Sequence, residues 1–299
     1  MLTLALGAFD GIHLGHASVI RSALSLDADA SVACFEPIPR QFFGGRSWNR
    51  RLTTPGERRA AIGAAGVHEV LTVPFDAATV SMSPEDFLDT LMLRMPFGRL
   101  VVGWDFHFGS GRSGTPARME RWCTSKGVDS MIVVPFEIGG EPVKSGRIRD
   151  LLGRGDLQGC RDLLGRCYAA EGPCARGRGA GRELGFPTLN LRVPACKMLP
   201  PPGSYAGLVA LEDEGEDLPA AVFVHPDGAG GSRGPVEAHV PGRRLDAYGR
   251  AAEVSFVARL REPVRSPSTG ELRDLIAGDV EKTLELLAGL PGIGRSAPR

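Results

Sequence analysis

The sequence predicts an α/β protein in two parts: a doubly wound, mostly parallel sheet, then a small β-barrel or sandwich closed by one long helix. Three observations predict it. Short apolar runs alternate with helix-periodic segments as far as about residue 150. From about residue 169 the apolar segments become short, evenly spaced and glycine-bounded. A final stretch carries apolar residues mostly three and four apart.

Residues 2–9 (LTLALGAF) form an apolar run halted at Asp10-Gly11, which suits a buried strand. His16–Leu26 has helical spacing, Ser31–Phe35 is a second apolar run, Thr54–Ala65 reads as a helix and Glu69–Val73 as a strand. Pro84–Leu93 reads as a helix, since a proline fits a first turn that needs no N–H donor. Arg99–Gly103 reads as a strand, Ala117–Lys126 as a helix and Ser130–Phe136 as a strand. In such sheets ligands bind beyond the carboxyl ends of the strands. The pattern breaks after Arg149-Asp150-Leu151-Leu152. Strands are then expected at Ser204–Leu211, Ala220–Val224, Val236–Val240 and Glu253–Arg261. Thr269–Leu290 reads as an amphipathic helix through Leu272, Leu275, Ile276, Val280, Leu284 and Leu287. Domains are expected at 1–168 and 169–290, with a loose tail at 291–299 rich in Pro, Gly, Ser and Arg.

Composition narrows the partners. In 299 residues, 42% are hydrophobic and 23% charged, which is ordinary globular usage. Lys+Arg and Asp+Glu both number 35, so a zero formal charge argues against broad binding to nucleic acid or acidic membranes. The 40 glycines and 23 prolines are spread along the chain and read as turn punctuation. MLTLALGAF lacks a basic start and does not read as a signal peptide, and no run reaches a membrane span of about 18 apolar residues. None of the six cysteines forms a C-x-x-C pair, so reduced thiols in a cytoplasmic protein are expected and a zinc site is not. Small molecules are the expected partners, and no feature sets an oligomeric state.

The most informative stretch is Gly7-Ala8-Phe9-Asp10-Gly11-Ile12-His13-Leu14-Gly15-His16. It joins a strand end, a glycine turn, two histidines three apart and a helix start. Gly11 and Gly15 allow tight turning and close backbone approach. A helix N-terminus offers N–H groups and a positive dipole to an anion. His13 and His16 add donors for phosphate oxygens. A lone histidine is more often structural, but two histidines with two glycines at a strand-to-helix turn point to an anion site.

This H-x-G-H within G-x-F-D-G-x-H-x-G-H resembles the nucleotidylyltransferase superfamily and, more narrowly, the bacterial bifunctional riboflavin kinase/FAD synthetase family. Further segments follow in the family's order. Phe35-Glu36-Pro37-Ile38-Pro39 resembles its F-x-P-x-P, and Leu52-Thr53-Thr54 with Glu57-Arg58 its L-T-x-x-E-K/R. Val102-Gly103-Trp104-Asp105-Phe106-His107-Phe108-Gly109 resembles V-G-x-D-F-x-F-G, and Ser145-Gly146-Arg147-Ile148-Arg149 the end of S-S-T-x-I-R.

The resemblance implies a Rossmann-like nucleotidylyltransferase domain in which the FMN phosphate attacks the α-phosphate of ATP and expels pyrophosphate. A phosphomonoester has a second pKa near ~6, so this nucleophile needs no general base. It needs positioning and charge cancellation, roles that fall to His13, His16 and Arg147 with Mg²⁺ shared between phosphates. Gly7, Phe9, Asp10, Gly11, Gly15, Asp105, Lys144 and Ser145 are the implied nucleotide- and phosphate-binding positions. Asp105 suits ribose or adenine groups, or simply a loop cap. Lys144-Ser145-Gly146 departs from the usual Ser-Ser-Thr. Ser145 can still cap a helix over Arg147–Leu152, and Lys144 can meet a phosphate or point into water.

Gly177-Arg178-Gly179-Ala180-Gly181-Arg182-Glu183-Leu184-Gly185-Phe186-Pro187-Thr188-Leu189-Asn190 is glycine-rich and basic, alone a weak phosphate-loop signal. It resembles the riboflavin kinase segment G-R-x-L-G-F-P-T-A-N, with Leu189 in place of alanine. The resemblance implies that Gly181, Arg182, Gly185 and Pro187 bind nucleotide, and that Thr188 and Asn190 serve Mg²⁺ and ATP phosphates. Both offer oxygen ligands that suit a hard cation. Val236-Glu237-Ala238-His239-Val240 resembles the family's E-x-H strand, Leu245-Asp246-Ala247-Tyr248-Gly249 its L-x-x-Y-G, and the last helix with Asp279 also fits. Riboflavin attacks through a neutral alcohol, which must lose a proton, and Glu237 is the candidate base. The family's N-x-G-x-x-P-T-F is barely matched by residues 221–231, where Pro226 alone has a counterpart and the flavin-side loop is shortened.

The implied activity is FAD biosynthesis from riboflavin and FMN with ATP and Mg²⁺. The alternative is an FMN adenylyltransferase with a degenerate, non-catalytic kinase half. A flavin-binding regulator and a cytidylyltransferase fit the ordered motifs less well.

Overall fold

The computed structural model describes residues 2–45, 48–177, 180–211, 216–226 and 236–290. The expected tail at 291–299 and positions 227–231 of the flavin-side segment lie outside the described residues. The chain divides into two compact units, the second beginning at Gly146.

In the first unit β1 (Thr3–Gly7), α1 (Leu14–Leu26), β2 (Ser31–Glu36), α2 (Pro39–Gly44), α3 (Pro55–Ala64) and β3 (Val70–Pro74) alternate in chain order. They are followed by α4 (Ala77–Ser81), α5 (Pro84–Arg94), β4 (Arg99–Gly103), α6 (Pro116–Lys126) and β5 (Asp129–Val133). A short hairpin, β6 (Glu137–Ile138) and β7 (Glu141–Pro142), leads to Ser145. The sheet order is β3-β2-β1-β4-β5, with every pairing parallel. Strand residues alternate between two cores, as a sheet buried on both faces requires. Leu4 and Leu6 pack with Phe87, Leu91 and Trp122 on one face, while Ala5 packs with Ile20 and Ile62 on the other. The expected strand to Phe136 stops at Val133, since Pro135 has no N–H to continue a ladder. Helix starts follow side-chain chemistry: Thr54 and Glu57 form a reciprocal capping box on α3.

The second unit contains α7 (Ser145–Arg154) from Gly146 onward, α8 (Leu157–Leu164), β8 (Tyr168–Ala175), α9 (Ala180–Glu183) and β9 (Leu189–Leu191). Then come β10 (Gly203–Leu211), β11 (Leu218–Val224), β12 (Val236–His239), β13 (Ala251–Arg261) and α10 (Thr269–Ala288). Six strands close into an antiparallel barrel in the order β10-β11-β12-β9-β8-β13, so the barrel-or-sandwich alternative resolves to a barrel. Closure leaves no open edge among these strands. Asp279 of α10, 5% exposed, takes two bonds from Arg261 of β13 at 3.0 and 2.7 Å, fixing the last helix to the barrel.

Candidate active sites

The strand order reverses between β1 and β4, so the carboxyl ends of these two strands border a crevice. Beyond β1 the chain makes a strained turn. Phe9 and Ile12 take positive φ angles of 50° and 39° and are held there by burial. Gly11 has φ 93°, and a Cβ on it would stand 2.9 Å from the Leu52 side chain, so any other residue there would be strained and would displace Leu52. His13 then caps α1: its Nδ1 accepts the His16 backbone N–H at 3.2 Å. The two imidazoles stack with centroids 3.6 Å apart, and Phe9 meets His16 edge-on at 5.3 Å. Gly7 lies under the Phe9 ring, and Gly15 lies under the Val143 carbonyl. His13, His16, Gly7, Gly11 and Gly15 are thus brought together at the head of α1.

Asp10 faces elsewhere. Its buried carboxylate accepts from Leu52 N, Thr53 N and Thr53 Oγ1 at 3.1–3.2 Å, and Gly11 N donates to Thr53 Oγ1 at 3.0 Å. These bonds hold the turn to the 52–53 segment, and Phe9 is buried in the sheet core. Below the turn lies a buried cluster that carries no role in the sequence motifs. Arg58 donates to the carbonyls of Ala8 and Phe35 at 3.0 and 2.9 Å and to Glu36 at 2.8 Å. Arg51 donates to Glu36 at 2.7 and 2.9 Å, to Gln41 and to the Thr53 carbonyl. Both guanidiniums are nearly inaccessible, so the shared carboxylate offsets the cost of burying their charge.

The segment before α7 crosses the turn. Val143 O touches Gly15, and Ser145 Oγ donates to the Asp10 carbonyl at 2.8 Å. The expected helix cap from Ser145 is therefore replaced: its hydroxyl is spent on Asp10, and the helix starts at Ser145 itself. Between them, Lys144 reaches Asp105 at 2.9 Å and lies 4.4 Å from the Trp104 ring centre, at the carboxyl end of β4. Arg147 stands two residues past Ser145, in the first turn of α7.

In the barrel, Thr188 precedes β9 and Asn190 lies within it, beside Ala175 of β8 and Glu237 of β12. Asn190 is 5% exposed; its Nδ2 donates to the Thr188 carbonyl at 3.4 Å, and its Oδ1 has no hydrogen-bond partner. An orphaned buried acceptor is costly unless a donor or cation meets it, so Asn190 Oδ1 with the Thr188 hydroxyl fits a hard cation such as Mg²⁺. No group of three His, Cys, Asp or Glu suited to a metal exists among the described residues. Mg²⁺ carried in on ATP phosphates needs no such cage.

The 181–188 loop is tightly built. A Cβ on Gly181 would fall 2.4 Å from the Phe186 carbonyl, Phe186 N donates to Gly181 O, and Gly185 N donates to Arg182 O. His239 Nδ1 holds the Pro187 carbonyl at 2.8 Å. Arg182, Pro187, Thr188, Asn190, Arg243 and Tyr248 line one cleft. Glu237 lies on β12 opposite Asn190 and Phe223, and its Oε1 is 3.2 Å from His225 Nε2.

A doubly wound parallel sheet with a paired-histidine helix head, joined to a closed barrel with a Thr-Asn-Glu cluster, defines a protein of the nucleotidylyltransferase-plus-flavokinase class. The family model described as FAD synthetase matches residues 1–147, and that described as riboflavin kinase matches residues 164–287. The chain is 31% identical to a bifunctional riboflavin kinase/FMN adenylyltransferase of Pseudomonas fluorescens, covering 95% of this chain and 92% of that protein. It is 32% identical to the protein so described from Escherichia coli K12, with 92% and 90% covered. The chain belongs to the bifunctional riboflavin kinase/FMN adenylyltransferase family. A crystal structure described as a macrolide-efflux protein from Streptococcus pneumoniae is also similar, with a TM-score of 0.82, 25% identity, and 94% and 93% covered. No described helix is long and apolar enough to cross a membrane.

Proposed function

We propose that this chain makes FAD in two ATP-dependent steps: riboflavin to FMN in the barrel unit, then FMN to FAD in the parallel-sheet unit. What carries the proposal is that one chain, matching bifunctional relatives over nine-tenths of its length, keeps both residue clusters: the stacked His13–His16 head and the Thr188–Asn190–Glu237 group.

In the adenylyl transfer an FMN phosphate oxygen bonds to the α-phosphorus of ATP, and the bond to the bridging oxygen of pyrophosphate breaks. The nucleophile arrives ionised, so the side chains cancel charge and take no proton. His13 Nδ1 accepts from His16 N, which puts the neutral ring's proton on Nε2 as the donor to a phosphate oxygen. His16 and the N–H groups at the head of α1 add positive potential where charge builds. Asp10, Arg51 and Arg58 act one layer back, keeping the turn rigid.

In the kinase step the riboflavin alcohol bonds to the γ-phosphorus, ADP leaves, and the alcohol proton passes to Glu237. Thr188 and Asn190 would hold Mg²⁺, which when bound supplies charge cancellation on the phosphate oxygens. Gly181, Arg182, Gly185 and Pro187 shape the loop against the nucleotide.

Isotope-labelled ATP tests both steps at once. With riboflavin as the only flavin, FAD should carry label from the γ-phosphate of ATP in its FMN half and from the α-phosphate in its AMP half. Label from neither position would refute the proposal, and γ-label in FMN without any FAD would remove the adenylyl-transfer half.

A further inference from the structure

We infer that His225 is a positioning residue for Glu237, an imidazole–carboxylate pair built into the shortened flavin-side segment of this chain. The inference rests on the proposed role of Glu237 as proton acceptor. β11 and β12 pair antiparallel with Phe223 opposite Glu237. Side chains two apart along an extended segment share a face, so His225, just past the end of β11, falls on the Phe223–Glu237 side. Phe223 meets the His225 ring edge-on at 4.8 Å.

His225 Nε2 is buried and lies 3.2 Å from Glu237 Oε1, yet its N–H is not aligned for a hydrogen bond. A buried nitrogen in that state gains by a small ring rotation onto the carboxylate. Among the described residues, the carboxylate has no other ion-pair partner. Glu237 is 28% exposed and has three side-chain torsions, so without a prop it spreads over several rotamers. With Pro226 set on the proline of the family segment N-x-G-x-x-P-T-F, His225 falls at a position the segment leaves unspecified. In the step itself the alcohol O–H bond breaks, the O–P bond forms, the proton goes to Glu237 and ADP leaves. His225 holds the acceptor oxygen in line and exchanges no proton.

The test compares His225→Ala, His225→Gln and Glu237→Ala in the full chain, assaying FMN formation from riboflavin and FAD formation from FMN. His225→Ala should lower kcat for FMN formation about ten- to a hundredfold, the scale of a misplaced catalytic group. The KM values for riboflavin and ATP should stay within about twofold. His225→Gln, whose amide still donates, should recover to within about threefold, and FAD formation from FMN should not change. Wild-type kcat in His225→Ala, a loss confined to KM, or Gln no better than Ala would overturn the inference. Should His225→Ala melt at assay temperature, His225→Gln against His225→Leu decides by the same criterion. Glu237→Ala separates the two failures: if it keeps FMN formation, the Glu237 role is wrong, whatever His225 does.

Discussion

Lys144 and Asp105 form a 2.9 Å ion pair beside the His13–His16 turn, with the ammonium also over the Trp104 ring. Lys144 stands where the family usually has serine, so here a lysine compensates the Asp105 carboxylate at the mouth of a proposed phosphate site. Lys144→Ser should leave that carboxylate uncovered and raise the KM for ATP in FAD formation about two- to fivefold. Asp105→Asn in the Lys144→Ser background should reverse most of it. Both groups are about half exposed, so the coupling should be at most about 1 kcal/mol and should shrink with salt. A double-mutant cycle at two ionic strengths checks this; additive effects would contradict it.

The two histidines should separate. His16→Ala is expected to lower FAD formation from FMN by at least about a hundredfold, the scale of losing a transition-state donor. FMN formation from riboflavin should continue. His13→Ala should lose a comparable activity and, since His13 also caps α1, about 1 kcal/mol of stability. For a unit of this size that is a fall of about 2–4 °C in Tm. Flavin assays and a thermal melt on both variants check the pair.

Asp10→Ala should act first on stability. It removes the acceptor for two backbone N–H groups and one hydroxyl in a buried turn. About 3 kcal/mol is expected from stranding those donors. Denaturant unfolding should show the loss, with FMN formation from riboflavin preserved at temperatures where the variant is folded.

The cysteines should be inert. Burial pushes the Cys160 thiol up to about 12 and the Cys123 thiol to about 11, and it also raises Cys34, Cys167 and Cys174. The nucleophile is the thiolate, so these sulfurs stay protonated and shielded near pH 8. Only Cys196 is partly exposed. Alkylation of native protein followed by peptide mapping should find Cys196 modified first, and early labelling of Cys160 would contradict the buried placement.

Legibility followed the range of the interactions. The turn at 7–16 was readable because its chemistry is local: three glycines, two histidines and a strand end within ten residues. The barrel strands at 204–211 and 236–240 were readable from their apolar runs. β8 and β9 were not, because YAAEGPCA and LNL carry weak strand signals and are held by pairing with β13 and β12. The Arg51–Glu36–Arg58 cluster was also hidden, although Glu36 and Arg58 sit in the quoted motifs. Burial of an arginine depends on a partner 15 or 22 residues away, which spacing does not reveal. His225 was hidden for the same reason, since only the β11–β12 register brings it to Glu237.

The central claim, two working sites in one chain, is tested most directly by giving purified protein ATP, Mg²⁺ and riboflavin, and resolving the flavins over time. FMN should appear first and FAD follow, with a parallel reaction from FMN giving FAD directly. Riboflavin left unchanged while FMN is converted would contradict the claim and leave an adenylyltransferase with a silent barrel, and no FAD from either flavin would contradict both assignments.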